Sequence, residues 1–231
     1  MKEKPMSCTS CSLRHCSILK NCRHEFLELI DQTKYYLKFT KGHQLIREGS
    51  VADGIYVITS GIVKTHVKGY RKRPFILHLA TTGELIGYQR NEQKKHQVSA
   101  TAAEDSYVCF IDNKEFDLVL QKNMGVREDL TKEFNKELNK VHSRTVRLAQ
   151  MSVREKVAEA VLLISQAYGM NHSSKPFTVN LSREDIGDLI GCTKEQVSKN
   201  FSDLKSEQVI TAAGKQFQIL NYKKLKEIAG V

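Results

Sequence analysis

Apolar positions change their period twice along this chain, and the changes divide it into regions of different architecture. Residues 1–24 hold no amphipathic run long enough to fold alone. From His24 to Thr33, Phe26, Leu27, Leu29 and Ile30 share one side, a spacing that predicts a short helix. From Tyr35 to about Ile111 the pattern becomes short and alternating, as in Ile55-Tyr56-Val57-Ile58, Ile62 to Val67 and Phe75 to Leu79, with turn residues between the runs. Seven of the 13 glycines (Gly42, Gly49, Gly54, Gly61, Gly69, Gly83 and Gly87) fall in this stretch, which predicts an all-β roll or barrel. After Asn113 the period is helical. Leu130, Phe134, Leu138, Val141, Thr145 and Leu148 recur at spacings of 4, 4, 3, 4 and 3, a narrow stripe flanked by charged residues. So narrow a stripe predicts a long helix that meets a partner helix across a dimer seam; packing on the β-region is the other reading. Ser152 to Tyr168 is a second amphipathic helix, and residues 171–176 read as a loop.

The remainder has the rhythm of a winged helix-turn-helix. Leu181 to Leu189 predicts a first helix with Ser182 as its N-cap, Ile190-Gly191-Cys192 a tight turn, and Thr193 the cap of a second helix running to about Glu207. Val209 to Leu220, broken at Gly214-Lys215, predicts a two-stranded wing, and Tyr222 to Ala229 a terminal helix. The fold class expected is α+β, with a cysteine-rich segment at 1–24, a β-roll sensor domain at 25–112, a dimerisation helix region at 113–150 and a winged helix-turn-helix at 151–231. The second helix of that motif presents Thr193, Lys194, Glu195, Ser198 and Lys199. A Glu there can accept from cytosine N4 and a Lys can donate to guanine O6 or N7 in the major groove. Arg183 and Lys215 are candidate phosphate contacts.

Composition narrows the classes. The 231 residues are 40% hydrophobic and 27% charged, with a net charge of +10, so a soluble globular protein with a polyanionic partner is expected. No apolar run approaches a membrane span or a secretory signal, which predicts a cytoplasmic protein without a membrane partner. The basic cluster Lys68, Arg71, Lys72 and Arg73 reads as a solvated hairpin tip. No nucleophile elbow, phosphate loop, dinucleotide fingerprint or HExxH spacing is present, so no enzyme is expected.

Four of the six cysteines, Cys8, Cys11, Cys16 and Cys22, fall in the first 22 residues, while Cys109 and Cys192 stand alone. In a reducing compartment this density points to metal ligation or redox chemistry. Thiolates suit structural zinc as well as iron–sulfur, and thiols that switch by oxidation are a third reading. Cys192 reads as a small apolar filler of the turn.

The stretch Gly-His-Gln-Leu-Ile-Arg-Glu-Gly-Ser at 42–50, Gly83-Glu84-Leu85, the long helix, and Leu-Ser-Arg-Glu-Asp-Ile-Gly-Asp-Leu-Ile-Gly-Cys-Thr-Lys-Glu-Gln-Val-Ser-Lys at 181–199 together resemble the CRP/FNR family of bacterial transcription regulators. The resemblance covers roughly residues 35–225 and implies a homodimer that binds near-palindromic promoter DNA, with RNA polymerase as a possible further partner. In the cyclic AMP branch an Arg-Ser pair holds the phosphate; here His96 and Gln97 stand in that place, so cyclic AMP is not expected. The oxygen-sensing branch ties a [4Fe-4S] cluster between an N-terminal cysteine group and a cysteine at the end of the roll. Its likeness here implies a ligand pool of Cys8, Cys11, Cys16, Cys22 and Cys109, five thiols for four positions. The same branch's Glu-x-x-Ser-Arg is matched by Glu195, Ser198 and Lys199, with Lys in place of the bidentate Arg. The alternative is the same DNA-binding regulator gated by thiol oxidation, or by a small effector around Gly83, Glu84 and His96.

Overall fold

The computed structural model describes residues 7–13, 18–88, 92–170 and 175–231. They form two compact units, one of residues 1–67 and 80–142, the other of 68–79 and 143–231. Cys16 and most of the loop at 171–176 lie outside the described residues.

In the first unit, helix α1 (His24–Thr33) buries Leu27 and Ile30, the side of the helix that the sequence marks as apolar. The roll's strands are β1 (Tyr35–Phe39), β2 (Gln44–Ile46), β3 (Gly54–Ser60), β4 (Val63–Lys68), β5 (Pro74–Ala80), β6 (Leu85–Ile86), β7 (Ser99–Ala102) and β8 (Ser106–Asp112), of which β5, apart from Ala80, belongs to the second unit. One sheet has the order β1-β8-β3-β6 and the other β2-β7-β4-β5. Antiparallel pairing sets Cys109 of β8 between Tyr36 of β1 and Val57 of β3. The helical region after the roll is two helices, α2 (Asn113–Lys122) and α3 (Met124–Gln150). Asn123 divides them: its N–H caps the end of α2 on the Val119 carbonyl, and its side-chain oxygen accepts from the Val126 N–H at 3.4 Å.

One apolar core joins these parts. Cys8, Ile18, Leu19 and Cys22 of the N-terminal segment pack with Leu27 and Ile30 of α1, Ile55 and Val57 of β3, Ile111 of β8, Phe116 and Val119 of α2, and Val126 of α3. Cys109 and Leu130 are partly buried against it.

The second unit is built on α4 (Val153–Ala167), whose N-cap Ser152 and Glu155 form a reciprocal capping box. Strand β9 (Phe177–Thr178), α5 (Arg183–Ile190), α6 (Lys194–Ser206), β10 (Ile210–Ala213), β11 (Gln216–Ile219) and α7 (Tyr222–Ala229) complete it. The wing is three-stranded, in the order β10-β11-β9; the sequence pattern marks only the two strands joined by Gly214-Lys215, because two residues are too few to display a period.

Candidate nucleic-acid interface and cysteine centre

Helices α5 and α6 both begin with capping boxes, Ser182 with Asp185 and Thr193 with Gln196, so both starts are encoded locally. The turn between them needs two glycines for different reasons. Gly191 ends α5 in the left-handed region at φ 68°, where a side chain would be strained. Gly187 lies where a Cβ would come within 2.5 Å of the Cys192 carbonyl oxygen. Val197, Phe201 and Leu204 bury one face of α6. Lys194, Glu195 and Lys199 are exposed and Ser198 is half-buried, so the N-terminal turns of α6 carry the predicted polar face to solvent. Glu195 is held below the ordinary carboxylate range by the backbone N–H and the Thr193 hydroxyl at the helix start, and it is ionised at neutral pH. Thr193 is itself exposed and its hydroxyl accepts from the Gln196 N–H at 3.2 Å.

Lys215 stands exposed at the tip of the wing. Arg183 is less available. Its guanidinium lies 3.9 Å from the centre of the Phe201 ring and 5.2 Å from that of Phe217, and burial lowers its pKa. Arg73 departs from the solvated hairpin tip expected of it. Its Nε stands 3.4 Å from the Asp188 carboxylate and its guanidinium donates to the Cys192 carbonyl, bracing the turn between α5 and α6. Arg144 of α3 likewise donates to the carbonyls of Ile76, at 3.2 Å, and of Leu77 and Leu189. The sequence has no signal for these two roles, since each arginine reads locally as one more surface charge. Cys192 is buried, as a filler of the turn should be.

Along α3 the predicted stripe is split. Leu130 is drawn into the first unit's core and Leu148 is partly buried, whereas Phe134, Leu138 and Val141 are 44%, 52% and 52% exposed and Thr145 is exposed. Phe134 also meets Tyr88 edge-on, with ring centres 5.1 Å apart.

In the roll, the Glu84 carboxylate accepts from the Thr81 N–H at 2.7 Å and its hydroxyl at 3.3 Å, closing its own turn, while Gly83 donates to the Ile58 carbonyl. His96 belongs to a different turn, bonded through its backbone to Gly49 and Ser50, and its buried Nδ1 has no hydrogen-bond partner among the described residues. Burial holds its pKa below the ordinary 6.5, with Asp53 partly opposing. The unfolded chain therefore takes up a proton near 6.5 that the folded imidazole resists, so this stabilisation is complete above about pH 6.5 and declines as pH falls below it. Urea melts between pH 7.5 and 5 should show that slope in the wild type and a flatter one in His96→Gln.

Four of the five candidate ligands lie among the described residues of the first unit. Cys8 and Cys22 are buried, Cys109 and Cys11 are partly so, and all four are free thiols. Burial pushes the Cys8 thiol up to about 12 against the opposing pull of Lys34, and burial also raises Cys109. Protonated thiols in an apolar setting are the state expected before a metal displaces the protons. Cys22 accepts from the Asn123 amide at 3.7 Å. Among the described residues no three His, Cys, Asp or Glu side chains are close enough to hold a metal ion between them. The donors nonetheless fit an iron–sulfur centre in kind: soft sulfur ligands, an apolar surround and a buried cation, Lys34, beside Cys8. Lys34 and Asp31 carry no signal in sequence, where an acid three residues before a lysine reads as an exposed helix pair.

Residues 36–123 match the family model described as the cyclic nucleotide-binding domain, and residues 155–228 match that of the Crp-like helix-turn-helix domain. The chain is 28% identical to the transcriptional activator protein FnrL of Cereibacter sphaeroides, over 96% of this chain and 92% of that protein. It is 27% identical to the transcriptional regulatory protein btr of Bordetella pertussis, over 96% of this chain and 93% of that one. The solved structure of FixK2 from Bradyrhizobium japonicum is similar with a TM-score of 0.75 at 21% identity, covering 85% of this chain and 97% of that chain, a likeness of fold.

Proposed function

Since this chain belongs to the CRP/FNR family of transcription regulators, on its FNR-like side, we propose that it is a homodimer that reads near-palindromic promoter DNA through α6 and is gated by a labile [4Fe-4S] cluster. It is a DNA-binding regulator and not an enzyme. The observation that carries the gating is the single core in which Cys8 and Cys22 pack with strands β3 and β8 and with Val126 at the start of α3, Cys109 and Leu130 lying against it. Anything that draws these thiols together presses on the root of the helix whose exposed stripe forms the proposed dimer seam. Cys8, Cys11, Cys16, Cys22 and Cys109 remain the ligand pool. When bound, the cluster supplies an oxidisable centre; the chain's own part is to hold it in an apolar pocket and to transmit its presence through Val126 and Leu130.

On the DNA, Lys194, Glu195, Ser198 and Lys199 face the base edges and Lys215 meets phosphate, while Arg183, stacked on Phe201, could do so only by leaving that ring. Glu195→Ala is expected to lower discrimination at one base pair per half-site by about 1–3 kcal/mol while weakening overall affinity little. Competition binding against a panel of single-base operator variants measures this, and an unchanged preference at every position would remove Glu195 from the reading.

The gating is tested by anaerobic reconstitution with iron and sulfide, followed by the visible spectrum and the metal and sulfide content. A broad band near about 400–420 nm that air bleaches, with about four irons and four sulfides per chain, is expected. Cys109→Ala should lose that band and the cluster-dependent gain in DNA binding, yet melt like the metal-free wild type. Metal bound without sulfide would favour zinc. A colourless protein whose melting temperature rises with a small effector would favour the second reading, which the His96 Nδ1, without a partner among the described residues, supports and the engaged carboxylate of Glu84 does not.

A further inference from the structure

A buried ammonium stands beside the thiols. Lys34 follows the last turn of α1 as its C-cap, and only 2% of its side chain is exposed. A lysine is almost never so buried unless it is paired, because desolvating an ammonium is costly. Here the partners are specific. Nζ donates to the Asp31 carboxylate at 2.7 Å and to the Cys8 sulfur at 3.1 Å. Asp31 in turn accepts from the Cys8 backbone N–H at 2.7 Å and from the Ser7 hydroxyl at 2.5 Å. A carboxylate anchored on α1 thus holds both the turn that carries Cys8 and the ammonium that touches its sulfur. Lys34 also feels Cys109 electrostatically, and Cys109 feels Cys11. One buried cation therefore touches Cys8 and acts electrostatically on Cys109, candidate ligands from two separate stretches of chain.

With the thiols protonated this arrangement is poorly balanced: a charged donor faces a neutral thiol, a weak acceptor. It becomes well matched when the sulfur carries negative charge. We propose that Lys34 is a positioning residue for the cluster: it selects Cys8 as one of the four ligands, and its charge sets how readily the loaded protein loses an electron to dioxygen. The inference rests on the cluster reading above. A [4Fe-4S]2+ centre with four thiolates carries a net charge of two minus, and transfer of one electron to dioxygen, giving superoxide, leaves one minus. A fixed positive charge favours the more negative side of that exchange, so Lys34 raises the reduction potential and slows oxidation. Asp31 partly offsets the charge but aims it, holding Nζ at the sulfur.

The test compares full-length wild type, Lys34→Met and Lys34→Gln after anaerobic reconstitution. It measures iron and sulfide per chain, the rate of bleaching in air-saturated buffer, and the reduction potential. Lys34→Met fills the same space without charge or donor; it should bleach about ten-fold faster, the scale of one lost charge-assisted hydrogen bond. For a one-electron couple a ten-fold change corresponds to a potential about 59 mV lower. Lys34→Gln keeps an N–H donor without the charge and should fall between. Both variants leave Asp31 without its buried partner and should melt lower in the metal-free form, so the bleaching rate and potential are compared at equal cluster loading. A merely structural lysine would move that melt and leave the bleaching rate and potential of the loaded protein alone.

Equal loading with wild-type bleaching and potential in Lys34→Met would overturn the inference and leave the cluster reading standing. If Lys34→Met unfolds, Lys34→Gln decides by the same two readouts. Variants that fold but fail to load would support the ligand-selecting half of the proposal. A wild type that takes up neither iron nor sulfide would overturn the cluster reading itself, and this inference with it.

Discussion

Replacing Leu138 with glutamate is expected to lower operator affinity by about a thousand-fold while leaving each protomer folded. Leu138, Phe134 and Val141 are about half exposed on α3, so within one chain a charge at 138 costs no buried contact. In a two-fold seam the effect is doubled, since symmetry places two new carboxylates in one apolar interface. Losing the dimer then removes the tethering of two half-sites, which is worth about two to four powers of ten in affinity. Sedimentation should show a monomer, and anisotropy on a palindromic duplex should show weak binding that no longer depends on half-site spacing. Asn139→Glu is the control: it makes the same change in charge at an exposed position one residue along, about 100° around the helix. If Leu138→Glu stayed dimeric and bound like Asn139→Glu, the seam would have to lie elsewhere than on this stripe.

The second large effect is expected at Gly187. Its carbonyl accepts the N–H groups of both Gly191 and Cys192, so the whole turn hangs from this residue. A Cβ there would meet the Cys192 carbonyl oxygen at 2.5 Å, and that oxygen also accepts from Arg73. Relief requires α5 and α6 to separate, which exposes Ile186, Val197 and Phe201. Gly187→Val adds β-branching to the clash and should cost about 3 kcal/mol or more, against a helix-propensity gain below about 1 kcal/mol. Thermal melting combined with hydrogen exchange at Val197 and Phe201 should show the loss concentrated in the second unit, with operator binding gone. Gly214→Asn is the comparison, because nothing lies within 4 Å of its Cβ position and Asn tolerates the left-handed backbone at φ 58°. It should melt within about 1 kcal/mol of the wild type. A harmless Gly187→Val would mean that the turn is softer than its hydrogen bonding implies.

The parts of this protein that could be read directly from the chain are those whose cause is local. The helix at His24–Thr33, the caps Ser182 and Thr193, the turn at Gly191 and the terminal helix at Tyr222–Ala229 stand where their spacing and capping residues put them. The polar face of α6 was legible for the same reason, since residues on one helix face are named by their spacing. The Asn123 break was not, because a single Asn inside a helical pattern is ambiguous until its side chain is seen to serve both ends.

Sequence alone therefore determined most of the order of elements, the family resemblance, the polar face of α6 and the pool of candidate thiols, because each depends on residue type and short-range period. Only the tertiary structure decided that Cys8 and Cys22 share a core with Val126, that Arg73 and Arg144 brace the helix-turn-helix, that Glu84 is spent on its own turn, and that Lys34 points at Cys8. These relations join residues far apart in the chain, or turn on which of several directions a flexible side chain takes. Their energies come from excluding water around particular pairs, and no periodicity records which charge will be the one that is buried.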